Sequence, residues 1–247
     1  MKTIIHPPAK PLGADIIQRL ERLDPALLCD GLSGFGLPRD GCLTGAIKPL
    51  NPTMRVLGPA LTVETAAGDN FPVHVATYGA PAGYVLVIDG QGCDERAYVG
   101  GLIGGAARAV GLAGIVIDGY ARDRGELEEL GLPVFCRGLT QRGPVKNYGG
   151  VINGSINCGG VRVDPGDVVM GNADGVTVIP GPLVADVLAR AEKKMAYEQE
   201  RREVIDAYRL ARENGGSLPE LTPDWVLDMM KRAADGPESG FGGEVRR

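Results

Sequence analysis

The chain has 247 residues, 44% of them hydrophobic, with a mean hydropathy near zero, so it is large enough for a full core and too apolar for a disordered chain. Its 26 Lys and Arg against 31 Asp and Glu give a net charge of -5 with no basic block, which argues against nucleic acid and anionic membrane as partners. The longest apolar stretches, 83–88 and 112–117, are strand-sized, and the N-terminus lacks the apolar core of a signal peptide, so a cytoplasmic protein is expected.

The N-terminal part predicts a helix over 15–23, a second short helix over 24–32, and a strand over 55–64. His74 to Tyr78 continues a helix that Gly79 ends. VLVIDG (85–90) and GIVIDG (114–119) are two apolar strands ending in the same Asp-Gly, with Asp89 and Asp118 at equivalent places. Small and apolar residues at helical spacing over 102–110, closed by Gly111, make this a βαβ unit. An acidic helix over 124–130, stopped by Gly131 and Pro133, leads to a strand at PVFCRGL.

The run 161–180 reads as strand, turn and strand, with Pro165-Gly166 as a turn and Asp174-Gly175 as a hairpin. The sheet is therefore mixed. A long helix follows from Leu183 to about Asn214, with Val184, Val187, Leu188, Ala191 and Met195 as its buried stripe. The organisation expected is one domain over 1–214 and an extension over 215–247. In that extension Trp225, Val226, Met229, Met230 and Ala233 predict one amphipathic helix before a frayed glycine-rich end.

Five cysteines stand without CxxC spacing, and only two histidines exist, His6 and His74. A zinc knot and a disulfide framework are thus not suggested, and a catalytic metal would rest on carboxylates and water, favouring Mg²⁺, Mn²⁺ or Ca²⁺. In open α/β sheets ligands gather at the carboxyl ends of parallel strands. Two segments converge there: the glycine-lined helix start 100–107, whose free amides suit a carboxylate or phosphate, and DGYARD (118–123). Arg122 offers a fork for an oxyanion, and Asp123 a hard metal ligand. Lysine is absent between Lys48 and Lys146, so carbanion chemistry on these strands calls for a metal in place of a Schiff base.

These motifs resemble those of the RraA-like family, which includes class II 4-hydroxy-4-methyl-2-oxoglutarate/4-carboxy-4-hydroxy-2-oxoadipate aldolases. The resemblance spans about 24–203 and is carried by LGPALTV (57–63), 100–123, ELGLPVF (129–135) and 158–180. It implies an α/β fold, an αββα sandwich with a swivelling-domain-like core, and a trimer or hexamer with sites at subunit boundaries. It also implies that Asp123 ligates Mg²⁺ or Mn²⁺ and that Arg122 binds the keto oxygen of a 2-oxo acid substrate. The backbone at Gly100, Gly101, Leu102, Ile103 and Gly104 would hold the substrate carboxylate.

The aldolases commonly carry an acid where this chain has Gly101, with Asp94 and Glu95 nearby as substitutes. A further acid comes from a neighbouring subunit's C-terminal helix, a place that Glu198 fits best and Glu192 second. The expected activity is metal-dependent cleavage of a 4-hydroxy-2-oxo acid to pyruvate through an enolate, which extends to oxaloacetate decarboxylation. The alternatives are a non-catalytic regulator that binds a ribonuclease, and a metal-dependent lyase for another oxo acid or sugar acid.

Overall fold

A computed structural model describes residues 3–147 and 149–235. In chain order the elements are β1 (Ile4–Ile5), α1 (Ala14–Leu20), α2 (Pro25–Leu32), β2 (Lys48–Pro49), β3 (Val56–Thr65), α3 (Phe71–Tyr78), β4 (Val85–Val99), α4 (Gly101–Ala109), β5 (Gly114–Ala121) and α5 (Arg124–Glu129). They continue with β6 (Val134–Cys136), β7 (Gly138–Leu139), β8 (Gly150–Ile152), β9 (Ile156–Cys158), β10 (Val161–Val163), β11 (Val168–Asn172), β12 (Gly175–Ile179), α6 (Val184–Glu213) and α7 (Asp224–Asp235). The chain forms two compact units, one ending at Met195 and one starting at Ala196, so the division falls within α6.

In the first unit β3, β4, β5 and β6 run parallel to their neighbours, with β8 antiparallel on β3 and β2 antiparallel on β6. Strand β3 serves two layers. Its first residues, Val56 to Pro59, pair antiparallel with β11, while Ala60 to Glu64 pair with β4. The side chains of β4 and β5 then divide by parity. Leu86, Ile88, Ile115 and Ile117 meet Val73 and Ala76 of α3, Ile103 and Ala107 of α4, and Leu127 of α5. On the opposite face Val85, Val87 and Val116 meet Val161, Val163, Val169, Val176 and Val178. Burial on both faces explains why these strands read as unbroken apolar runs. A third cluster joins Val168, Met170 and Ile179 to Leu20, Leu28, Leu32, Val187 and Leu188. The layer sequence is helix, sheet, sheet, helix, the αββα sandwich expected from the resemblance.

Local chemistry accounts for most boundaries. Asp24 caps α2 by accepting from the Leu27 amide at 2.9 Å, and Pro25 takes the first helical position. Gly111, at φ 84°, ends the α4 turn. Two details depart from expectation. The hairpin between β11 and β12 pairs Asn172 with Gly175, so its loop is Ala173-Asp174. Strand β4 also does not stop at Asp89-Gly90 but continues, with irregular register, to Val99.

Gly90 is there for packing and not for a turn. A Cβ at that position would lie 2.7 Å from the Tyr98 ring and 2.7 Å from the Asp118 carbonyl oxygen. The fully buried Tyr98 hydroxyl donates to Gly90 O at 2.7 Å and accepts from the Gly68 amide at 2.9 Å.

In the second unit, α7 is the amphipathic helix expected in the extension. Trp225, Met229 and Met230 are exposed, and Trp225 Nε1 donates to the Tyr197 hydroxyl at 2.9 Å. The glycine-rich end, 236–247, lies outside the described residues. Among the described residues no helix is long and apolar enough to cross a membrane. All five cysteines are free.

Candidate active site

The carboxyl ends of β4 and β5 lie side by side, with Val99 paired to Ala121 and the Arg122 amide donating to Val99 O at 2.9 Å. Gly100 and Arg122 therefore emerge together. A cavity of about 220 Å³ opens beside them, lined by Gly100, Leu102, Ile103 and Arg122 from these two crossings. Asn70 and His74 from the α3 region and Lys146 from a later loop line it as well. Its size suits a small acid.

Gly100 is the N-cap of α4, and the Gly104 amide closes the first turn onto Gly100 O at 2.9 Å. The Gly101 amide donates to Asp123 Oδ2 at 3.1 Å, which leaves the Leu102 and Ile103 amides as the donors without an intrahelical acceptor. Leu102, which also lines the cavity, is 85% exposed.

Asp123 is a left-handed residue, at φ 57° and ψ 46°, and caps the short helix α5. A non-glycine residue in that region is held by its surroundings, and such positions concentrate at functional sites. Arg122 Nε lies 3.4 Å from Asp123 Oδ2, and both side chains are about two-fifths exposed. Asp123 Oδ1 accepts no hydrogen bond among the described residues.

Three lining residues were not singled out from the sequence as site residues. Asn70 is buried. Its Nδ2 donates to Tyr98 O at 3.0 Å, and its buried Oδ1 has no partner among the described residues. Burial, and then the Lys146 charge, lower the His74 pKa, so the imidazole is neutral at pH 7. The loop that carries Lys146 is stitched to residues 68–70. Val145 donates to Gly68 O at 2.9 Å, Asn70 to Val145 O at 3.1 Å, and Asn147 to Asp69 Oδ2 at 2.6 Å. The only hint in sequence was scarcity: His74 is one of two histidines, and Lys146 ends a long lysine-free stretch.

The other acids have other surroundings. Asp118 pairs with Arg137 and accepts from the Gly159 amide at 2.7 Å, and Asp89 accepts from Gln91 and Asn157, so both tie the main sheet to the β9–β10 layer. Glu95 lies 3.7 Å from Arg142, and Glu95 and Asp94 are exposed and outside the cavity lining. Glu192 is bound by both arms of Arg19, at 2.7 and 2.8 Å, which fastens α6 to α1. Glu198 lies in the second unit, where it accepts from Arg202 at 2.8 Å. Among the described residues no three His, Cys, Asp or Glu side chains gather as a metal-binding group. Mg²⁺ commonly takes only one or two protein carboxylates and completes its shell with water and substrate oxygens, a requirement that Asp123 with its free Oδ1 can begin to meet.

An α/β sandwich with a cleft at the ends of its parallel strands, lined by Arg122 and Lys146, is the class of protein these features define. Residues 26–178 match the RraA-like family described as Aldolase/RraA, and the chain belongs to that family. It is 42% identical over 191 residues to a Halalkalibacterium halodurans protein named "Putative 4-hydroxy-4-methyl-2-oxoglutarate aldolase", covering 77% of this chain and 89% of that one. Among solved structures it resembles Streptomyces coelicolor RraAS2, described as an unusual member of the RNase ES inhibitor RraA protein family, with TM-score 0.70 and 26% identity over 77% of this chain and 98% of that one. An uncharacterized protein from Pseudomonas syringae matches with TM-score 0.67 and 27% identity over 85% of this chain and 97% of the other.

Proposed function

We propose that this chain is a divalent-metal-dependent lyase of the class II aldolase and oxaloacetate decarboxylase type, cleaving a 4-hydroxy-2-oxo acid to pyruvate. The observation that carries the reading is the convergence, at one cavity, of Arg122, the open amide end of α4 and Lys146, with Asp123 beside its lining, held to the Gly101 amide and to Arg122. The 42% identity to a relative bearing an aldolase name supports it.

Asp123 holds Mg²⁺ or Mn²⁺ in this reading, and Glu198 from a second copy of the chain is the further carboxylate. The bound cation supplies Lewis-acid polarisation of the substrate's keto group. The Leu102 and Ile103 amides, at the positive end of α4, take the adjacent carboxylate. Arg122 places a fixed guanidinium where negative charge develops as the C3–C4 bond breaks and the pyruvate enolate forms. Neutral His74, on the cavity wall, can take up a proton. Lys146 attracts a second acidic group. Oxaloacetate reaches the same enolate by losing carbon dioxide. The resemblance to the family is what supports a trimer or hexamer in which a neighbouring copy supplies Glu198.

The test is pyruvate release from oxaloacetate and from 4-hydroxy-4-methyl-2-oxoglutarate, with Mg²⁺, with Mn²⁺ and with chelator. Arg122→Ala and Asp123→Ala should each abolish release while leaving the circular dichroism unchanged; near-normal turnover in either variant would sink the assignment. A second reading, a regulator that contacts a ribonuclease, rests on the likeness to RraAS2. Capture of a ribonuclease together with no release from either substrate would favour it.

A further inference from the structure

Gly101 has no side chain, yet the space that one would occupy is filled. A Cβ built there would lie 1.9 Å from Glu126 Oε2 and 2.4 Å from Glu126 Oε1. Its neighbour Gly100 stands in the same relation to Asp123, whose Oδ2 would be 2.5 Å from a Cβ. Two carboxylates from the start of α5, three residues apart and on one face, thus lie over two consecutive glycines at the start of α4. Glu126 makes no ion pair and no side-chain hydrogen bond among the described residues. A hard divalent ion is the group that two carboxylates so placed could share. The adjoining cavity presents Arg122 and Lys146, charges that suit an acidic occupant beside the cation.

We propose that Glu126 is the second carboxylate for the divalent cation that Asp123 holds, reaching from α5 across a glycine with no side chain to obstruct it. The acid lacking at position 101 is supplied in this way by a different helix. The proposal rests on the cation-dependent reading above and adds to it the specific partner of Asp123. It also assigns Gly101 a role: any larger residue there would displace the Glu126 carboxylate.

The experiment is titration of the full chain with Mn²⁺ alone, read by calorimetry and by the loss of the free-ion paramagnetic resonance signal, with no substrate present. Glu126→Gln is expected to weaken Mn²⁺ binding by at least about 10-fold, since removing a group that only supports a ligand already costs about 10- to 100-fold. Gly101→Ala, which puts a methyl group where the carboxylate lies, is expected to weaken it as well. Glu129→Gln, on the same helix, controls for loss of charge and should leave the affinity unchanged. Unchanged binding in Glu126→Gln, or an equal loss in Glu129→Gln, overturns the proposal. If Asp123→Asn still loses the ion in either case, the cation site stands without Glu126; if Asp123→Asn also binds normally, the reading of the site itself fails.

Discussion

Replacing Gly104 with alanine places a methyl group 2.4 Å from Leu127 Cδ2 and 3.3 Å from Leu130 Cδ1, where α4 rests on α5. Overpacking of that kind costs about 1–3 kcal/mol, and the gain of about 1 kcal/mol from removing a helical glycine offsets part of it. Leu127→Ala works in the opposite direction. The side chain is fully buried, and its loss costs about 3 kcal/mol, or about 6–12 °C in Tm for a unit of this size. The two defects are complementary, because the methyl at position 104 enters the space vacated at 127. The double variant should therefore be more stable than the sum of the single changes predicts, by about 1–2 kcal/mol.

Trp225, the single tryptophan, lies in the other unit, so unfolding is best followed by far-UV circular dichroism in denaturant. Additivity within about 0.5 kcal/mol would refute this account of the α4–α5 contact. Since that contact sets how Asp123 and Glu126 face the start of α4, both single variants should also lower pyruvate release.

Tyr98→Phe removes a buried hydroxyl that satisfies both the Gly68 amide and the Gly90 carbonyl, and should lower stability by about 2–4 kcal/mol in the same assay; a loss under about 1 kcal/mol would mean that water replaces it. Arg19 holds the Glu192 carboxyl below its ordinary value of 4.5, so the pair's contribution is present above that pH and is lost as pH falls through the lower folded value. The Tm difference between the unchanged chain and Glu192→Gln should accordingly narrow below pH 4.5; a gap constant from pH 7 to pH 3 would contradict the assignment.

The βαβ core was readable because β4 and β5 are buried on both faces and must be apolar at every position, a pattern few other elements produce. The limit of the same reasoning shows at Asp89-Gly90. The dipeptide has the composition of a turn, but the glycine answers to the Tyr98 ring, which is distant in local sequence pattern and adjacent only in space. Arg122 and the glycines of α4 were legible as candidate site residues since they follow parallel strands directly. Asn70, His74 and Lys146 were not, because a loop crossing and a set of backbone hydrogen bonds to Gly68 and Asn70 bring them to the cavity. Glu126 reads in sequence as one of several solvated acids on a short helix, and only the space above Gly101 distinguishes it.

Strand β3 passes from one layer of the sandwich to the other between Pro59 and Ala60, so the two sheets share a covalent backbone as well as a packed interface. Sheets joined only by side chains can shear past one another. Here sliding would have to stretch a chain held by ladder hydrogen bonds on both sides of the crossing. The sheet that carries Gly100 and Arg122 at the ends of β4 and β5 is thereby tied to its partner layer by main chain, and not by packing alone.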